Sequence, residues 1–153
     1  MNNIILIDID GVLITTPPWK GDDIHIDGYS DFNVACVNNF NMLIESIDVE
    51  LWLTSSRRTY KELIEFNEIF KNRLIIKQLT GMTPIPLNRT SRLNEINTFL
   101  DNNLPVNFLI IDDDNSLQEL EADRKKYWIK TEPLIGFDTN KMNEAYGLIM
   151  NWC

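Results

Sequence analysis

Short apolar runs alternate along this chain with stretches whose apolar residues recur every three or four positions, and that alternation narrows the fold more than any other feature. The runs at residues 4–7, 49–53, 74–76, 106–111 and 127–129 have strand length. Phe32, Cys36, Phe40, Leu43 and Ile47 keep helical spacing, with Ser30 or Asp31 as the expected cap. Tyr60, Leu63, Ile64 and Phe70 outline a second helix, and Leu93, Ile96, Phe99 and Leu100 a third that Thr90 or Ser91 would cap. Residues 117–124 predict a short fourth helix and residues 141–150 a fifth, started by Thr139 or Asn140. Strands joined through helices need crossover connections, so the expected fold class is α/β: a doubly wound parallel sheet with helices on both faces. Ligands in such sheets bind beyond the carboxyl ends of the strands, where the strand order reverses. The polar residues that close each strand are therefore the functional candidates.

Two segments interrupt the alternation. Residues 14–31 hold Pro17, Pro18, Trp19, Gly21 and Gly28 and read as a flap with a small hairpin around residues 24–26. Residues 80–88, with Pro84 and Pro86, read as a loop before the third helix. With no repeat or linker, the 153 residues are expected to form one domain around one core. No apolar run reaches bilayer length, which argues against a membrane protein. The opening stretch turns acidic at Asp8 and reads as a buried strand rather than a signal peptide, so a cytoplasmic location is expected. Cys36 and Cys153 give neither a disulfide framework nor a metal-ligand spacing. The net charge of −9, from 14 basic and 23 acidic side chains, disfavours general binding to phosphate polymers. It leaves room for recognition of one phosphate.

The first strand runs into Asp8-Ile9-Asp10-Gly11. Carboxylates two residues apart on an extended segment face the same side. Phosphoryl transfer through an aspartyl intermediate uses such a pair, one to attack phosphorus and one to handle the leaving group's proton. Gly11 permits a sharp turn and a close approach of backbone to ligand or metal; an ordinary acidic turn is the plain alternative. The second strand closes on Thr54-Ser55-Ser56, whose hydroxyls and amides suit phosphate oxygens or, equally, a helix cap. The fourth closes on Asp112-Asp113-Asp114, three adjacent carboxylates that repel one another unless a cation sits among them. A hard, oxygen-seeking ion answers that need, and Mg²⁺ suits phosphate chemistry. Asp114 reads instead as a cap for the helix near Ser116.

On these residues the chain resembles the haloacid dehalogenase-like (HAD) superfamily, whose phosphatases open with an apolar strand and Asp-x-Asp-Gly-(Val/Thr)-Leu. Asp8-Ile9-Asp10-Gly11-Val12-Leu13 matches throughout. Thr54 matches the hydroxyl of the second motif, and Asp112-Asp113 the acidic fourth motif. Arg92-Leu93-Asn94-Glu95-Ile96, followed by Ile110-Ile111-Asp112-Asp113-Asp114, is similar to the small HAD domains associated with RNA repair proteins; so is the stretch from Lys130 to Gly136. The resemblance implies a Rossmann-like sheet with a minimal flap in place of a cap domain, and a Mg²⁺-dependent phosphomonoester hydrolase. It implies that Asp8 is nucleophile and metal ligand, and that Asp10 is general acid and base and lends its backbone carbonyl to the metal. Thr54 would bind the phosphate, and Asp113 would anchor Mg²⁺ with Asp112 beside it. Gly11, Ser55, Arg57 and Arg89 are the expected substrate contacts, and the expected substrate is a nucleotide or a nucleic-acid or protein terminus.

One departure stands out. The superfamily's third motif usually supplies a lysine, and this region offers only Arg89 and Arg92, with Lys77 as a weaker candidate. Arg92, at the start of the third helix, is the expected replacement, a rigid fork instead of a mobile point charge. The missing lysine keeps a rival open, a non-catalytic domain that binds Mg²⁺ and phosphate. A signalling receiver is disfavoured, because receivers carry their phosphorylated Asp after the third strand. His25 is the sole histidine, which argues against a histidine-based triad or a zinc site. Trp19 and Tyr29 could stack on a substrate or cover the edge of the core. Arg57 and Arg58 could bind a second phosphate or sit as solvated charges.

Overall fold

Runs of branched apolar residues far apart along the chain become adjacent central strands, covered on both faces. A computed structural model describes residues 2–152. The elements run β1 (Asn3–Ile7), α1 (Val34–Glu45), β2 (Glu50–Leu53), α2 (Leu63–Asn72), β3 (Gly81–Met82), α3 (Arg92–Asn103), β4 (Asn107–Asp112), α4 (Ala122–Lys125), β5 (Trp128–Lys130) and α5 (Thr139–Ile149). Single 3₁₀ turns follow β2 (Ser56–Thr59) and β4 (Asn115–Glu119). The sheet order is β3-β2-β1-β4-β5 and every pairing is parallel. From β1 the chain steps outward to β3, then crosses back to β4 and steps outward to β5. The order therefore reverses between β1 and β4. Their register, Leu6 opposite Ile110 and Ile7 opposite Ile111, brings the carboxyl ends of the two strands level.

Alternate strand residues feed two apolar layers. Ile5, Ile7, Leu51, Leu53, Leu109 and Ile111 pack with Phe40, Phe66, Phe70 and Met142, so α1, α2 and α5 cover one face. Ile4, Leu6 and Ile110 pack with Ile96, Phe99, Leu100 and Leu117, so α3 and the second 3₁₀ turn cover the other. At about 1.5–3 kcal/mol per fully buried large side chain, these layers fix which way the strand ends point. No helix among the described residues is long and apolar enough to cross a membrane.

Several sequence expectations need correction. The third strand is Gly81–Met82, not residues 74–76. Leu74 has φ +62° and ends the turn after α2, where it and Ile76 are exposed. A two-residue strand carries no readable period, and its Gly81 is needed because a Cβ there would collide with the Trp52 indole. Helix α1 is capped by Asn33, whose side chain accepts from Ala35 N at 3.0 Å and Cys36 N at 3.2 Å, while Ser30 and Asp31 belong to the flap. Asp138 caps α5, and Ser91 caps α3 as expected. The fourth helix splits into the 3₁₀ turn and α4. The flap hairpin reduces to a bridge between Ile24 and Ser30. Cys36 is buried, and Cys153 lies outside the described residues.

Candidate active site

Where the order reverses between β1 and β4, the acidic ends of both strands meet. Asp8 N donates to Ile111 O at 3.1 Å and Thr54 N to Ile7 O at 3.0 Å, so three strand tips are tied side by side. Asp8, Asp112 and Asp113 each place one carboxylate oxygen within 4.8 Å of the others. Asp8 is 5% exposed and Asp112 fully buried. Arg92, the first residue of α3, reaches over them. Its Nη1 donates to Asp112 Oδ2 and to Thr54 Oγ1 at 3.4 Å, and lies 3.6 Å from Asp8 Oδ2.

Three carboxylates facing one guanidinium leave an excess of negative charge in a dry place. Burial pushes the Asp8 carboxyl well above its usual range; Asp112 adds to this and Arg92 opposes it. Burial also raises Asp112, against the pull of Arg92. Asp113 is pushed up to about 6 by burial and by Asp112. Such a cluster fits a hard divalent cation with oxygen ligands, which removes the repulsion without neutralising the acids by protonation.

The backbone is shaped around the same point. Gly11 has φ +76°, and a Cβ on it would run into the Asp113 carboxylate. The Gly11 carbonyl accepts from the buried Thr131 Oγ1 at 2.7 Å, which pins the turn after β1 to the end of β5. Asp8 Oδ1 accepts from Ile9 N at 2.8 Å, leaving Oδ2 as the oxygen directed toward Arg92.

Asp10 stands apart from the cluster. Its side chain is 52% exposed and both oxygens lie in the fork of Arg57, at 2.7 Å from Nε and 2.8 Å from Nη2. Ser55 is buried and its hydroxyl accepts from Arg57 N at 3.2 Å, a cap on the 3₁₀ turn. Arg58 is not a solvated charge. It is 3% exposed and donates to the carbonyls of Thr54, Ser55, Thr83 and Pro84 and to Glu95. Arg89 is exposed and makes no hydrogen bond or ion pair among the described residues. Lys77 binds Val49 O at 3.0 Å, at the start of β2, and so sits at the opposite end of the sheet. Of the three cations weighed for the missing lysine, Arg92 alone reaches the cluster.

Some supports were not singled out from the sequence. Glu95 bridges Arg92, at 3.6 Å, and Arg58, at 2.8 Å; its place three residues after Arg92 on a helix was the available signal. Thr131 and the flap residue Asp22 gave no local signal, since both act across long sequence separations. Tyr29, half-buried, meets Phe66 edge-on at 6.3 Å and covers the core edge, whereas Trp19 is 81% exposed.

An α/β sheet with this order, carrying carboxylates at its switch point, fits the architecture of a HAD-like domain. The family model for the HAD domain in Swiss Army Knife RNA repair proteins matches residues 4–142, and the chain belongs to that family. No curated protein matches the chain.

Proposed function

We propose that the protein is a Mg²⁺-dependent phosphomonoester hydrolase working through an aspartyl-phosphate on Asp8. The observation that carries this reading is the cluster of Asp8, Asp112 and Asp113 under Arg92 where β1 and β4 end. Asp8, Asp113 and the backbone carbonyl of Asp10 would hold the cation, with Asp112 orienting Arg92 from beneath. When bound, Mg²⁺ offsets the repulsion between Asp8 and an incoming phosphate. Arg92 and the Thr54 hydroxyl hold phosphate oxygens in line with Asp8 Oδ2. Asp8 Oδ2 bonds to phosphorus as the ester oxygen leaves, and Asp10 gives that oxygen its proton. Asp10 then takes a proton from water; the water oxygen bonds to phosphorus and the Asp8–phosphorus bond breaks, releasing phosphate.

The family's occurrence in RNA repair proteins and the exposed flap rim at Trp19 support a nucleotide or a nucleic-acid terminus as substrate, with a protein terminus as the other macromolecular case. A second reading, a domain that binds Mg²⁺ and phosphate without turnover, draws support from Asp10, whose carboxylate is held by Arg57 instead of facing the cluster. Mass spectrometry of acid-quenched protein, after incubation with Mg²⁺ and p-nitrophenyl phosphate, separates the two. Catalysis predicts phosphate on Asp8 and its release into solution, and Asp8→Asn should abolish both while the fold persists. Retention of more than a few per cent of turnover in Asp8→Asn would sink the nucleophile assignment.

A further inference from the structure

We propose that the Nε/Nη2 edge of Arg57 is an anion subsite, filled at rest by the Asp10 carboxylate and taken over by a second phosphate of the substrate. This rests on the phosphate-site reading above and names what lies beside that site. The two parallel bonds from Arg57 to Asp10, at 2.7 and 2.8 Å, are a fork that fits phosphate oxygens equally well. The guanidinium does not depend on Asp10 for its place. Nη1 donates to Tyr29 Oη and Ser30 Oγ, both at 3.2 Å, and Nη2 to Asp22 Oδ2 at 2.9 Å. Asp22 is itself held by Ser30 Oγ at 2.7 Å. The receptor is sheltered and its occupant is wet, with Arg57 20% exposed and Asp10 52% exposed.

Asp10 has a task that this arrangement blocks. With both oxygens in the fork, it is not free to meet a leaving-group oxygen. An anion that occupies the fork releases it, so a second phosphate both binds and frees the acid. Asp10 lies two residues from Asp8, at most about 7 Å between their Cα atoms, so the fork opens beside the phosphate site and within reach of a second phosphate on the same ribose. The ligand class is a nucleotide with two phosphate groups on one ribose.

The test is calorimetric binding to the full chain carrying Asp8→Asn, with Mg²⁺ present, using adenosine 3′,5′-bisphosphate and adenosine 3′-monophosphate. A hydrogen-bonded charge pair predicts that the bisphosphate binds roughly 10-fold to 100-fold tighter. Adding Arg57→Gln should bring the two affinities together, and Arg57→Lys, which keeps the charge without the fork, should give an intermediate ratio. Adding Asp10→Ala removes the resting occupant and should raise the bisphosphate affinity by a larger factor than the monophosphate affinity. Thermal unfolding checks that each variant folds. Equal binding of both nucleotides, a preference that survives Arg57→Gln, or a bisphosphate affinity that does not rise in Asp10→Ala overturns the subsite. Because these are binding measurements, they decide the subsite even if the wild-type chain releases no phosphate from any ester, which would refute only the hydrolase reading.

Discussion

Replacing Arg92 by Met isolates what the guanidinium does for the fold. Arg92 is the only cation touching Asp8 and Asp112 among the described residues, and its own side chain is 10% exposed. Arg92→Met keeps the volume of the stem and leaves two buried carboxylates without a counter-charge. Removing one partner of a buried pair costs about 3–5 kcal/mol. For a chain of this length each kcal/mol is about 2–4 °C, so without metal the melting temperature should fall by roughly 6–20 °C. Mg²⁺ should recover part of the loss, because a ligand at a hundredfold excess over its dissociation constant adds about 2.7 kcal/mol to the folded state. The two acids are raised already, and losing Arg92 raises them further. The folded variant therefore holds more protons than the unfolded chain, and its deficit should be larger at pH 8 than at pH 5. Circular dichroism melts of both proteins in EDTA and in Mg²⁺, at the two pH values, test all three parts. A deficit that ignores both pH and Mg²⁺ would show that Arg92 acts by packing alone, and would refute the electrostatic account.

Gly11→Ala should cost about 1–2 kcal/mol for its left-handed backbone and, by pushing Asp113 aside, should remove most of the Mg²⁺-induced rise in melting temperature; an undiminished rise contradicts the close approach. Without metal, wild-type stability should fall as pH rises from about 4 through about 6, since Asp113 and its two neighbours bind protons more tightly folded than unfolded. Asp27 has the opposite sign: its carboxyl is held low mainly by Arg73, so its contribution is complete above its unfolded value and vanishes only in stronger acid. Urea midpoints across that range, with and without Mg²⁺, check the direction, and a flat metal-free profile would count against the crowded cluster. For turnover, kcat/KM should be higher for phosphorylated nucleotides or short termini than for small sugar phosphates in a panel with Mg²⁺, because a flap without a cap domain leaves a small ester few contacts beyond its phosphate; a sugar phosphate at the top of that panel refutes the substrate reading.

The parts of the fold that were legible are those where one local rule decides. Residues 4–7 and 108–111 are apolar throughout because both faces of a central strand are covered, and the expected runs at 4–7 and 106–111 appear as β1 and β4 nearly as expected. The edge strand β3 was not legible, although β5 at the other edge was. Gly81–Met82 is defined by hydrogen bonds to β2 and by the Trp52 ring, neither of which leaves a trace in its own sequence. The site divides in the same way. Asp8, Asp112, Asp113, Gly11 and Thr54 lie at or just past strand ends, so their meeting was implied once the sheet was read as parallel with its ligand site at the carboxyl ends. Adjacent arginines were beyond such reasoning. Arg57 and Arg58 share one 3₁₀ turn, yet one points to Asp10 and the flap and the other into the protein to satisfy carbonyls. That division comes from tertiary packing, which spacing does not encode.

The flap's attachment bears on how such a site selects substrates. Arg73, at the end of α2, is 2% exposed at its side chain and donates to both Asp27 oxygens, at 2.6 and 3.0 Å, and to the carbonyls of Tyr29, Ser30 and Ile69. Asn72 adds a bond to Asp27 at 3.0 Å, and Arg73 lies 4.9 Å from the centre of the Phe32 ring. Moving the flap as a lid would strip a buried guanidinium of most of its partners, a cost of several kcal/mol that substrate binding would have to offset. The flap is thus a fixed wall. A fixed wall does not enclose a small ester, so discrimination must come from groups standing where a larger substrate continues past its phosphate. Here those groups are on the flap and on the turn after β2, joined through Asp22 and Arg57. The same residues that replace a cap as structure stand where a cap's recognition surface would be needed.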